Sequence, residues 1–233
     1  MKQVLFFLLT LVIISSCRFT TGSGNLITDT RSVGSFKRIS VGGSFDVEVK
    51  IGTTTQVTVE ADDNIMKYIR ISTSGDVLKI KTEGLHNYSN VHMKVYITTP
   101  TLTGINASGS AEVKVLDPIK NNEKLSLQAS SSADIEAEVE APEVDARASS
   151  SGSVNLSGRT KNYTAQASSS GDIRSEELLT ENANVSVSSS GSAYVHASVS
   201  LNARASSSGD IVYHGGASVT KSVSSSGSVE KRE

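Results

Sequence analysis

From residue 144 onward, apolar and polar residues alternate in short runs, and every run leads into the same tetrapeptide. The apolar positions Val144, Ala146, Ala148; Tyr163, Ala165, Ala167; Ala183, Val185, Val187; and Leu201, Ala203, Ala205 are separated by single polar residues such as Asp145, Arg147, Thr164 and Gln166. Period-2 alternation is the mark of a strand with one buried face. Each run ends in Ser-Ser-Ser-Gly, with glycines at Gly152, Gly171, Gly191, Gly209 and Gly227. Alternation then resumes at Val154 and Leu156, Ile173, Ala193 and Val195, Ile211 and Tyr213. A looser copy, Ser130-Ser131-Ser132-Ala133, precedes them, and Ala107-Ser108-Gly109-Ser110 opens the array.

The spacings between those five glycines are 19, 20, 18 and 18 residues. A fixed period of that length, with strand, corner, strand and a variable polar return, predicts an all-β parallel β-helix, a solenoid with rungs of about 18–20 residues. Each strand would pair with its equivalent in the next rung, about 4.8 Å away. The glycines Gly109, Gly152, Gly171, Gly191, Gly209 and Gly227 are expected to supply a left-handed φ at the corners. The serine two places before each glycine is expected to point inward.

The residue after the corner alternates: Ser110, Asp134, Ser153, Asp172, Ser192, Asp210, Ser228. Like charges opposite one another destabilise a sheet, and alternation doubles the separation of the carboxylates to roughly 10 Å. That separation excludes a calcium ladder, since calcium sits about 2.4 Å from each of its ligands.

The chain divides into 1–16, 17–33, 34–104 and 105–233. The third segment has the same strand grammar without the serine beat. Phe45, Val47, Val49 and Ile51 alternate with Asp46, Glu48 and Lys50, and the strand through Val91, Met93, Val95 and Ile97 is stopped by Pro100. Long apolar side chains concentrate here, so this half is expected to hold the larger core. Residues 61–68 read as a single helical turn, with Asp62 or Asp63 as N-cap.

Gly43-Ser44-Phe45-Asp46-Val47, then Ala61-Asp62-Asp63-Asn64, then Tyr96 through Gly104-Ile105-Asn106-Ala107-Ser108-Gly109-Ser110 resembles the head GIN domain family. The resemblance covers about residues 34–230. It implies an all-β, helix-like stack and a role as an adhesin of bacterial envelopes, abundant in Bacteroidetes, and it carries over no catalytic residues.

Residues 1–16 begin with Lys2, run apolar from Val4 to Ile14 and end Ile14-Ser15-Ser16, as a secretory leader does. Cys17, the chain's one cysteine, stands where the lipobox of a bacterial lipoprotein places the residue to be lipidated. The expectation is a lipoprotein signal peptide, lipidation at Cys17, a flexible tether to residue 33 and attachment to the outer membrane. Surface-exported lipoproteins of Bacteroidetes often carry an acidic or lysine-rich tag after the cysteine. Here Cys17-Arg18-Phe19-Thr20-Thr21-Gly22 lacks one, which favours the periplasmic face over the cell surface.

Candidate chemistry is sparse. A net charge of −2 with mixed signs gives no basic patch, which excludes a nucleic-acid partner. The column five residues after each corner holds Ser157, Glu176, His196, His214 and Arg232. It reads first as an exposed polar ladder. In register, Glu176, His196 and His214 are the candidate metal donors, with the imidazoles about 5 Å apart. There is no Trp, and Tyr194 and Tyr213 stand near the corners. The composite expectation is a non-enzymatic binding or spacer module with an unknown glycan or protein ligand and no cofactor, open to homo-oligomerisation. A periplasmic envelope-stress or regulatory module and a glycan-active or metal-dependent module are the alternatives.

Overall fold

In the computed structural model, which describes residues 19–84 and 87–233, the chain winds into a β-solenoid of about six turns. Two parallel sheets form its long sides. Sheet A runs through Val77–Thr82, Arg38–Gly43, Gly104–Gly109 and Leu125–Ser130. It continues through the later halves of Asp134–Ser149, Ser153–Ser168 and Asp172–Val187, then Ser200–Ala205 and Ser218–Val223. Sheet B runs through Met93–Thr99, Asp46–Ile51, Glu112–Val115 and the leading halves of the same three long strands, then Ser192–His196, Asp210–His214 and Ser228–Lys231. In the middle rungs the return is also a strand: Glu138–Ala141 pairs with Ser157–Thr160. The three 16-residue strands bend round the coil and stay paired on both sides of Pro142 and of a bulge opposite Leu156.

Alternation dictates what fills the coil. The inward column Leu125, Val144, Tyr163, Ala183, Leu201 is buried throughout, and one large ring is compensated by the small Ala183 on the next rung. The halves on either side of residue 104 share one core and one sheet, since Gly104–Gly109 pairs with Arg38–Gly43 on one edge and Leu125–Ser130 on the other. The bulkier core does lie in the first half, around Phe45, Ile39, Ile65, Ile69, Leu78 and Ile97.

The corners differ from the sequence expectation in an instructive way. The left-handed residues are the second and third serines: φ is 52° and 66° at Ser150 and Ser151, and 51° and 63° at Ser169 and Ser170. The following glycine has no positive φ but donates its N–H back to the first serine, as Gly152 does to Ser149 O at 2.9 Å. This is the signature of a type I′ turn. Such a turn swings the serine two places before glycine outward, so Ser150 and Ser169 are exposed rather than inward. The turns bond to one another through Ser151 N to Ser169 O, Ser170 N to Ser189 O and Ser190 N to Ser207 O, at 3.1–3.2 Å.

Glycine is needed here for space. A Cβ on Gly152 would lie 2.6 Å from the backbone carbon and oxygen of Ala129, and one on Gly227 2.7 Å from those of Ala205. Gly109 is the exception, with φ +82°. It pairs with Gly43, and Ala111 occupies the column that later holds the glycines. Ser110 therefore leaves the alternating column and Glu112 enters it, next to Asp134. From Asp134 to Ser228 the alternation holds, with an added cause: Ser192 Oγ donates to Asp172 at 2.7 Å and Ser228 Oγ to Asp210 at 2.6 Å.

The first end of the stack is closed by antiparallel strands. Ile69–Ser74 covers the edge of sheet A. Gln56–Asp62 covers that of sheet B, and Leu26–Arg31 covers Gln56–Asp62 in turn. The segment read as a tether therefore contains strands Thr20–Thr21 and Leu26–Arg31. The helical turn is Asp63–Met66 with Asp62 at the N-cap position, but its side chain does not cap the turn. The buried carboxylate instead accepts from Gly24 N and His92 N, each at 2.7 Å. At the far end a second inward column passes from Ala203 to Lys221, whose Nζ donates to Val229 O at 3.0 Å.

Two consequences can be measured by thermal or denaturant unfolding. Gly152→Ala should lose about 2 kcal/mol, because the Cβ meets backbone that cannot move alone. Ser151→Gly should stay within about 1 kcal/mol of the parent, relief of a left-handed serine offsetting lost chain stiffness. If φ set the glycine requirement, the order of the two would invert. Tyr163 carries a buried hydroxyl with no hydrogen-bond partner, and burial pushes its pKa far upward. Tyr163→Phe should therefore raise stability by about 1 kcal/mol, and a clear loss would mean that the hydroxyl is bonded.

Candidate functional site: an amide-bearing face and a neighbouring groove

The pairing that buries one side of each strand aligns the other side into straight columns. On the outer face of sheet A, one column reads Ser40, Asn106, Gln128, Arg147, Gln166, Ser186, Arg204. Its neighbour reads Ser126, Asp145, Thr164, Asn184, Asn202, Thr220. The amides of Asn106, Gln128 and Gln166 are exposed, and the rung step places successive groups about 4.8 Å apart.

Charge on this face is pinned. Asp145 is mostly buried and receives Arg147 through Nε at 3.1 Å and Nη2 at 3.2 Å, and that pairing holds the guanidinium in its charged form. Lys124 reaches Glu143 at 2.7 Å beside it. Two shallow depressions lie along the columns: one of about 380 Å³ between Asn106, Gln128, Arg147 and Gln166, and one of about 240 Å³ where Gly104 leaves a gap between Arg38 and Ser126. Among the described residues, the outward columns of sheet A carry no aromatic ring. Recognition here would rest on repeated hydrogen bonds alone.

The face of sheet B is different in kind. Asp46, Glu112 and Asp134 follow one another in a column, and Glu48, Lys114 and Glu136 form the next. Lys114 is bridged to Glu136 at 2.9 Å and Lys94 to Glu48 at 2.7 Å. Hydrogen bonds donated to these carboxylates raise both ammonium pKa values. Tyr96 and Tyr194 project from this charged face, and Tyr213 is buried inside the coil.

The candidate metal column does not assemble: on its first rung, pairing with the next runs only as far as Ser175 to Val195, one residue short of Glu176 and His196. His196 and His214 do pair across adjacent rungs. A β-bulge sets Ser175 and Glu176 together against Leu156, so Ser157 faces Glu177. The extra residue is the reason for the one 20-residue spacing and leaves both Glu176 and Glu177 outward, where they line a depression with Lys114, Glu136 and Arg174. His196 lines a separate groove of about 740 Å³ with Asn121, Ala141, Pro142, Arg159, Lys161 and Leu179. Among the described residues, no three metal-binding side chains converge. Of the other histidines, His92 bonds Glu60 at 2.7 Å, and His86 lies outside the described residues, as does Cys17.

Sequence reading anticipated a polar outer surface without separating its two faces, and it did not anticipate the groove. The separation was available in principle, since Gln128, Arg147 and Gln166 all stand two places before the first serine of a corner, but it needed the register that only pairing supplies. Among the described residues no helix is long and apolar enough to cross a membrane.

Comparison with known proteins agrees with this geometry. A crystal structure of a "putative adhesin" from Bacteroides fragilis superposes with a TM-score of 0.83 at 22% identity, covering 91% of this chain and 98% of that one. A "putative adhesin" from Parabacteroides distasonis gives 0.75 at 25% identity, over 92% and 100%. A "putative lipid binding protein" from the same organism gives 0.71 at 21% identity, over 93% and 100%. The search of curated proteins finds no match. The family model described as "Putative auto-transporter adhesin, head GIN domain" matches residues 35–217, and with most of the solenoid inside that span the chain belongs to the head GIN domain family.

Proposed function

We propose that this chain is a non-enzymatic binding module of the bacterial envelope, anchored by lipid on Cys17 to the periplasmic face of the outer membrane. Its ligand is a hydroxyl-rich polymer, a glycan, held along the outer face of sheet A. The observation that carries this reading is the column of exposed amides and guanidinium groups from Asn106 to Arg204, repeated at the rung spacing. The amides donate to and accept from hydroxyls, the guanidinium groups donate to them, and neighbouring groups act on one continuous chain. Binding through many weak contacts suits a polymer, because each further contact is intramolecular once the first has formed. Family membership and the adhesin-type neighbours support a binding role.

A second reading is favoured by one feature. The groove at Ala141, Pro142 and Leu179 is mainly apolar, and its rim balances Arg159 and Lys161 with Glu140 and Glu181, Arg159 being paired to Glu140 at 3.4 Å, as an amphiphile of little net charge would require. The relative described as a lipid-binding protein gives this reading its weight.

Retention of the purified domain on immobilised envelope polysaccharides separates the two. Two amide contacts at about 0.5–1.5 kcal/mol each translate to roughly a 5- to 150-fold weakening, so Gln128→Ala with Gln166→Ala should lose binding on that scale. Glu112→Ala on sheet B should leave binding intact, and Leu179→Asp should matter only for an amphiphile. Unchanged glycan binding in the double variant would remove sheet A as the site. Labelling with palmitate should disappear in Cys17→Ala, and persistence of the label would remove the anchor.

A further inference from the structure

The segment expected to be a flexible tether is docked instead. Thr20–Thr21 runs parallel to Tyr88–Ser89, with Thr20 N donating to Asn87 O at 2.8 Å. The next residues are caught by the helical turn. Asn64 Nδ2 donates to Thr21 O at 2.8 Å, Ser23 Oγ to Asp63 at 2.6 Å, Asn25 Nδ2 to Asp63 at 2.9 Å, and Gly24 N to buried Asp62 at 2.7 Å. Leu26–Arg31 then pairs along its whole length with Gln56–Asp62. The fixed part of the fold therefore begins at Thr20.

Resting on the lipid anchor proposed above, we infer that the N-terminal cap of the solenoid is seated directly on a phospholipid surface. Three residue steps separate Cys17 from Thr20, a reach of about 11 Å at full extension. A free tether from 17 to 33 would have given a typical span of about 22 Å and an unconstrained orientation. The docked strap holds the cap within about one Debye length of the headgroups.

The surface beside the strap suits that neighbour. Phe19, at 63% exposure, stands next to the fixed point, and Leu26 and Ile27 follow it on the two faces of the outermost strand. These are three of the eight exposed large apolar side chains among the described residues, gathered within nine positions of the anchor side of the chain. Lys67, on the turn that clamps the strap, carries its ammonium over the Tyr68 ring, a cationic and aromatic pair of the kind placed at headgroup level. The occupant is thus a lipid surface, and the repeat rungs extend away from it.

The test uses the full lipidated protein in vesicles of phosphatidylethanolamine and phosphatidylglycerol with an acceptor dye on the headgroups. A donor dye is attached through Ser74→Cys, on the exposed end of the strand that closes the first end, or through Ser225→Cys at the last corner, each with and without sixteen Gly/Ser residues inserted between Arg18 and Phe19. Seating predicts strong transfer from the cap site, at least threefold above the last corner, and a fall at the cap when the insertion is present. Equal transfer from the cap with and without the insertion, in protein that floats with the vesicles, overturns the seating alone. Protein that does not float and takes up no palmitate overturns the anchor and the seating together. A double variant, Asp63→Ala with Asn64→Ala, should loosen residues Thr21 to Asn25 while Leu26–Arg31 stays paired, and lower cap transfer without changing flotation.

Discussion

Everything in this solenoid depends on how closely successive corners stack. Each Ser-Ser-Ser-Gly turn hands a backbone hydrogen bond to the turn above, and the glycine lies against the peptide of the rung below with no room for a methyl group. Two left-handed serines per corner are unfavourable by about 1–2 kcal/mol each, and only a turn engaged by its neighbours sustains them. Once the corners are locked, register is locked in both sheets. A one-residue slip would turn the inward alanines and valines out to water and the amides in.

Register is also what makes a surface out of side chains that are far apart in the chain. Asn106, Gln128, Arg147 and Gln166 are separated by about one rung each in sequence and adjoin in space. The two faces acquire different chemistry from the same rule: amides, hydroxyls and paired charges on sheet A, carboxylates and lysines on sheet B. The interior stays narrow because small residues repeat there. Where a large one enters, as at Tyr163, a small neighbour makes room, and its hydroxyl is left unsatisfied. Salt bridges between rungs, such as Lys114 to Glu136 and Lys124 to Glu143, are solvent-exposed and contribute little beyond reinforcing register.

Much of this was legible before any coordinates. The period, the strand alternation, the all-β solenoid and the heavier core of the first half follow from spacing and side-chain size. The 20-residue interval before Gly191 was also visible, yet its cause was not, because which residue bulges depends on Leu156 being already fixed on the adjacent rung. Corner geometry was misassigned for a similar reason. Glycine usually signals a positive φ, and close approach between rungs leaves no trace in a single repeat. The tether was misread because Thr20–Arg31 is polar and glycine-containing, and its partners Asp62, Asp63 and Asn64 lie about forty residues away. The metal column kept its count of five from Glu176 through His214, but regular spacing does not make side chains converge: Glu176 and His196 line separate depressions.

The central claim is that the corners are hydrogen-bonded parts of the stack rather than loops between strands. Residue-resolved amide hydrogen exchange on the folded domain tests it most directly. The account predicts that the amides of Ser151, Ser170, Ser190 and Ser208 exchange as slowly as those of the flanking sheet strands, because each bonds to the corner of the next rung. Exchange at those four positions at the rate of free surface loops would contradict it.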